Sequence, residues 1–214
     1  MAAIGLGFLY ATGIVYLVEL ALAIFGVHWN VWNVTLPSAA IAIVPVWRGL
    51  SSPRPGAQAR KPAPHVVDLL TLVTVAAYAL YATVARVWEW DFWAIWGLKG
   101  RVFFEAHTID WRFLESRWND FAHPDYPLLL PLNYDYAALL SGGWSDRWLG
   151  LFNVAFGIAL LLIVRELLAR ETTPLIASAI TFAATGFALS GFIGLAEAPP
   201  VSYTHLTLPT KRIV

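Results

Sequence analysis

Long apolar runs separated by short polar breaks set the pattern of this chain. Residues 4–25 form the first run, with Glu19 as its only charge. A helix that crosses a bilayer needs about 20 mostly apolar residues, and this run supplies them. Residues 31–47 form a second, shorter candidate that Pro37 and Pro45 interrupt. Residues 66–87, 147–168 and 174–195 complete a set of five spans. The predicted class is therefore all-α: a polytopic membrane protein with about five transmembrane helices. Residues 48–65, RGLSSPRPGAQARKPAPH, carry Arg48, Arg54, Arg60 and Lys61 and no acid. Their proline, glycine and serine content reads as a loop, and the positive-inside rule places that loop in the cytoplasm.

The pattern changes at residues 88–126, expected on the outer side. This segment holds seven of the chain's fourteen acids against four Lys or Arg, and four of its eleven tryptophans fall between Trp88 and Trp96. Loops longer than about 12–15 residues are usually functional or disordered, and the apolar content here opposes disorder. FWAIWGLKGRVFF, residues 92–104, mixes tryptophan with charge in the manner of an amphipathic helix lying in the membrane interface.

Residues 127–143, PLLLPLNYDYAALLSGG, are apolar enough to tempt a sixth span. A crossing there would put Asn133, Tyr134, Asp135 and Tyr136 near mid-bilayer, where an aspartate costs about 2.5–3.5 kcal/mol. It would also send the arginines of RELLARET, residues 165–172, outside, against the charge rule. Both objections vanish if the segment is a juxtamembrane or re-entrant helix. The expected organisation is therefore three N-terminal spans in residues 1–87, an outer loop with juxtamembrane helices in 88–143, and two further spans in 144–200.

Composition agrees and removes several function classes. The 214 residues are 58% hydrophobic and 13% charged, with mean hydropathy +0.62, against about a quarter charged in a soluble domain. Zero net charge gives no basic surplus to neutralise phosphates, so a nucleic-acid partner is not expected. With no cysteine, disulfides, zinc-thiolate sites and thiol nucleophiles are excluded. There is no Gly-rich phosphate loop, Gly-x-Ser-x-Gly elbow or His-Glu-x-x-His helix. Residues 201–214, VSYTHLTLPTKRIV, break the apolar pattern and resemble a translated sequencing-library adapter. They are expected to be a non-native tail, with natural sequence continuing beyond Pro200.

The chemistry-bearing residues collect on the outer face: Asp91, Lys99, Arg101, His107, the run HPDYP from His123 through Asp125 and Tyr126 to Pro127, Asp135 and Glu197. Asp91 has two readings. It is either a solvated acid at a helix start, where negative charge is favoured, or a general base for an acceptor hydroxyl. Lys99 and Arg101 either contact phosphate oxygens of a lipid carrier or reach past the interface to headgroups. His107 and His123 lack companions at ligand spacing and make no metal pair. Glu19, costly in lipid, is expected to face a partner inside the protein.

WDFWAIWGLKGRVFFEA, then HPDYPLLLPL, then Arg147 opening a span, then GLAEAPP resemble the N-terminal half of bacterial GT-C superfamily glycosyltransferases. The likeness is to the polyprenyl-phosphate-sugar enzymes akin to protein mannosyltransferases and aminoarabinose transferases, and it covers residues 88–200. It implies an integral, multi-pass protein of the bacterial inner membrane that moves a sugar from a lipid-linked donor. Asp91 matches the essential acid near the start of the first outer loop. HPDYPLLLPL matches the motif that opens the second juxtamembrane helix, with Pro124-Asp125 where two prolines are usual. Glu197 stands where the family more often has an aspartate at the outer end of a later span. Catalytic roles are thus expected for Asp91 and Glu197, donor-phosphate binding for Lys99 and Arg101, and a loop-motif role for His123, Asp125 and Tyr126. Membrane lipids and the lipid-linked donor are the expected partners. No cofactor is assigned, and dependence on a divalent metal is left open. The alternative function is a non-enzymatic transporter or flippase component, in which proline-broken helices surround a midplane site.

Overall fold

The computed structural model describes residues 2–51, 65–87 and 89–189, with side chains except those of 44–51 and 148. Among the described residues every regular element is helical, as the length of the apolar runs predicts. The chain is an all-α membrane protein. In order they are α1 (Ala2–Ile24), α2 (Val31–Ser51), α3 (Val66–Val84), a π-helical turn (Phe92–Trp96), α4 (Gly97–Ala106), α5 (Trp111–Glu115), a 3₁₀ segment (Arg117–Ala122), α6 (Leu129–Ser141), α7 (Trp148–Glu171) and α8 (Pro174–Leu189). Among the described residues three stretches are long and apolar enough to cross a bilayer: α1, α3 and Leu149–Glu171 of α7. The apolar parts of α2 (Val31–Ile43) and α8 (Pro174–Leu189) are shorter.

Two boundaries differ from expectation. The prolines do not break α2, which runs on through Pro37 and Pro45 to Ser51. Proline's fixed φ suits a helix, and membrane helices tolerate the lost donor where neighbours re-satisfy the backbone. Residues 48–51 thus belong to the helix rather than to the basic loop. At its other end α2 is fixed by a reciprocal asparagine cap. Asn30 Oδ1 accepts from the amides of Trp32 (2.9 Å) and Asn33 (3.1 Å), and Asn33 Oδ1 accepts from the Asn30 amide (2.7 Å). Likewise α7 continues past Leu168 to Glu171. Its arginines extend the span because each finds an acid: Arg165 meets Asp68 of α3 (Nε–Oδ1 2.9 Å) and Arg170 meets Glu166 (2.7 Å).

Helix ends sort into two sets. At one end lie the start of α1, whose Ala2 amide donates to Glu166 (2.6 Å), the start of α3 with Asp68, and the end of α7 with Arg165. At the other, Trp29 N donates to His107 O (2.8 Å), tying the α1–α2 turn to the end of α4. Val87 N donates to Asp146 O (3.0 Å), so the exit of α3 touches the entry of α7. The chain between them leaves and returns at one end.

Helix α7 is the hub. Phe8 of α1 packs edge-on to Phe156 (5.0 Å between centroids). Against α8 the backbones nearly touch: a Cβ on Gly157 would collide with the Ala188 carbonyl. The α8 face turned inward is Ala177, Ser178, Thr181, Thr185 and Ala188, a helical stripe of small residues. Its hydroxyls bond carbonyls of their own helix, Thr181 to Ala177 O at 2.7 Å for example, leaving a surface that permits close approach. By contrast α3 buries only Ala82 and exposes Leu69, Leu72, Val73, Leu80 and Val84. A contiguous apolar face of that extent calls for lipid.

The short helix α6 has 13 residues, about 20 Å at 1.5 Å per residue against a hydrocarbon core of about 30 Å. Leu130 to Asp135 are all buried, because α1, α2, α4 and α7 surround the helix. Its polar residues reach those neighbours. Asn133 donates to Thr12 O (3.2 Å), Tyr134 to Asn153 Oδ1 (2.7 Å), and Tyr136 shares a hydrogen bond with Thr35 (2.9 Å).

Candidate functional site

The tryptophan segment begins its helix at Trp90 and Asp91 and widens at once into the π-helical turn Phe92–Trp96. Such turns are rare and occur often at functional sites. Phe92 and Trp96 point inward and are buried, while Trp90 and Trp93 stay exposed. Asp91 is half-buried in the first turn, where the helix dipole favours a carboxylate. Among the described residues no hydrogen bond holds its side chain. Trp88 lies outside the described residues, and so does Glu197.

One turn later α4 lies against α6. A Cβ on Gly100 would stand 2.9 Å from the Pro131 carbonyl and 3.1 Å from Cβ of Tyr134, so only glycine permits this spacing. The close approach buries the neighbouring Lys99 completely. Expected at phosphate or headgroups, Lys99 instead turns into the protein, where Nζ donates to the carbonyl of His123 (2.8 Å). The ammonium lies 5.2 Å from the Trp96 ring centroid and 5.8 Å from that of Tyr126, within cation–π range. Burial lowers its pKa to about 8, and the nearby Asp125 charge acts in the opposite sense.

The HPDYP run folds over this lysine. His123 takes a left-handed backbone (φ 48°) that ends the 3₁₀ segment and turns its carbonyl inward. There the oxygen also accepts from the Tyr126 amide (3.0 Å). The His123 ring stacks on Tyr126 (4.6 Å, 16°), and Tyr126 stacks on Trp96 (5.5 Å, 29°). His123, Asp125 and Tyr126 remain exposed on the outside of the stack. Lys99, His123, Asp125 and Tyr126 therefore come together.

Arg101 does not join them. It is exposed and paired with Glu105 on the next turn (2.9 Å). It lines a cavity of about 100 Å³ with Phe92, Trp93, Gly97, Trp144 and Asp146. Trp144 is held by its indole N–H to Asp146 (2.8 Å). The cavity thus presents aromatic faces beside one cation and one acid. Among the described residues no three His, Asp or Glu side chains converge as a metal site would require.

Two features escape sequence reasoning. Trp144 and Asp146 give no signal beyond their types, because only folding brings them to Arg101. Glu19, expected to need a partner, has one that spacing alone does not name: Asp135 of α6. No family model, curated protein or solved structure matches this chain.

Proposed function

We propose that the chain belongs to a membrane glycosyltransferase of the bacterial inner membrane, multi-pass in topology. It moves a sugar from a polyprenyl-phosphate-linked donor to an acceptor on the periplasmic face. The observation that carries this reading is the folding of HPDYP onto the tryptophan helix. Two of the motifs behind the GT-C likeness pack through Lys99, Trp96 and Tyr126, one turn and more from Asp91. In this reading Asp91 takes the acceptor proton. Arg101, at the aromatic cavity, meets the donor phosphate, and Lys99 acts from inside by holding the His123 loop. Exposed Trp90, Trp93, Trp111 and Trp118 set the depth of this face at the bilayer surface.

The test is transfer from a lipid-linked sugar by the full gene product in membranes. Asp91→Asn keeps size and removes the base, so turnover should fall about 10²–10⁴-fold with insertion unchanged. Arg101→Ala should raise KM about 10–100-fold, the equivalent of one charged contact. Exposed Glu115 on α5 supplies the control, since Glu115→Gln should transfer normally. Normal turnover by a well-inserted Asp91→Asn protein would return Asp91 to the solvated reading.

A second reading, a transporter or flippase component, is favoured by one observation: an acid inside α1 facing another acid. Intramembrane acids of this kind mark ion and proton paths in transporters.

A further inference from the structure

Glu19 and Asp135 are both fully buried, one on α1 and one on α6, with their carboxyls within hydrogen-bonding reach of each other. None of the four oxygens meets a conventional donor among the described residues, and the buried indole N–H of Trp29 is likewise without an acceptor in that sense. That indole lies near Asp135 without a hydrogen bond to it. The contact between α1, α2, α4 and α6 is otherwise filled by apolar side chains, among them Val18, Val34, Phe103 and Leu132. The tyrosines of α6 turn elsewhere, Tyr134 to Asn153 and Tyr136 to Thr35. Among the described residues no lysine, arginine or histidine acts on either carboxyl.

Two negative charges in contact, dry and without a cation, are strongly disfavoured, and such pairs keep one proton between them. One proton removes the repulsion and gives the pair a hydrogen bond: the protonated carboxyl donates to its partner's oxygen. We propose that Glu19 and Asp135 form a proton-binding site, in which one shared proton fastens α6 to α1 and thereby seats the outer site on the first span. This holds whether the protein is an enzyme or a transporter, so it does not depend on the function proposed above.

Burial pushes the Asp135 carboxyl up to about 7, well above its usual range. The unfolded chain gives up both protons near pH 4. Between those values the folded state binds more protons than the unfolded state, so stability falls as pH rises and levels off above the folded value. The experiment uses the purified 214-residue chain in lipid nanodiscs, read by infrared spectroscopy and thermal unfolding. In the unmutated chain a protonated-carboxyl C=O band should be present near neutral pH and disappear as pH rises, with Tm falling between about pH 4 and pH 7. Glu19→Gln offers an amide donor in place of the proton, so the band should shift or vanish and Tm should lose its slope. Asp135→Asn should also shift or remove the band. Absence of any protonated-carboxyl band in the unmutated chain at neutral pH would overturn the proposal even if neither variant folds. A band with unchanged midpoint in both variants would overturn it too.

Discussion

Lys99 shows how a single side chain can change role between sequence and fold. On a helical wheel it lies two residues from Arg101 and invites a joint task, yet a helix sends such neighbours about 200° apart. Gly100 between them lets α4 close on α6, and that closure sends Lys99 inward and leaves Arg101 outside. A buried ammonium with one carbonyl and two ring faces as its surroundings is a tie between elements. Lys99→Met should release the loop, because a charge-assisted hydrogen bond is worth about 1.5–3 kcal/mol. Amide exchange at Tyr126, read by mass spectrometry, should then quicken about 10–100-fold while amides of α7 keep their protection. Unchanged exchange at Tyr126 would show that the stacking of Trp96, Tyr126 and His123 suffices. The motifs holding Lys99, His123 and Tyr126 are legible as candidates in the sequence. Their contact is not, since 24 residues and a left-handed turn at His123 separate lysine and carbonyl.

At the scale of elements, apolar run length locates α1, α3 and α7 within a few residues, because lipid imposes length more strictly than soluble packing does. It misplaces α2 at its prolines and α7 at its arginines for a common reason: a residue's local cost is weighed there without its partner. Arg165 is tolerable in α7 only because Asp68, which also caps α3 by accepting from the His65 amide (2.8 Å), stands opposite. Small residues carry the packing that run length cannot show. Gly157→Val forces a side chain into the Ala188 backbone, and overpacking of this kind costs about 1–3 kcal/mol. Gly7 on α1, where an added Cβ would meet nothing within 4 Å, supplies the contrast. Gly7→Val should unfold in detergent like the parent chain, whereas Gly157→Val should melt lower. Equal melting of the two would mean that α8 does not rest on α7 as described.

For the molecule as a whole, charge and geometry arrive at one topology by separate routes. The positive-inside rule puts the loop after α2 and the arginines at the end of α7 on one side. The hydrogen bond from Ala2 to Glu166 and the pair of Arg165 with Asp68 gather the same helix ends in space. The bond from Val87 to Asp146 closes the opposite end, so residues 88–146 return to the side they left. A crossing by α6 would break that closure, and its 13 residues fall short of the distance. The absence of cysteine makes the arrangement directly testable with single substitutions and an impermeant thiol reagent on intact cells. Ser145→Cys, in the turn before α7, should label from outside. Thr172→Cys, just past the end of α7, should label only after the membrane is opened. Both positions are partly exposed, and solubilised protein controls for reactivity at each. External labelling at Thr172 with protection at Ser145 would invert α7 and move the Lys99–Tyr126 cluster to the cytoplasmic face. Labelling of both from one side would mean that α7 does not cross at all. Only the outcome with Ser145 outside and Thr172 inside keeps Asp91 on the face where a periplasmic acceptor could meet it.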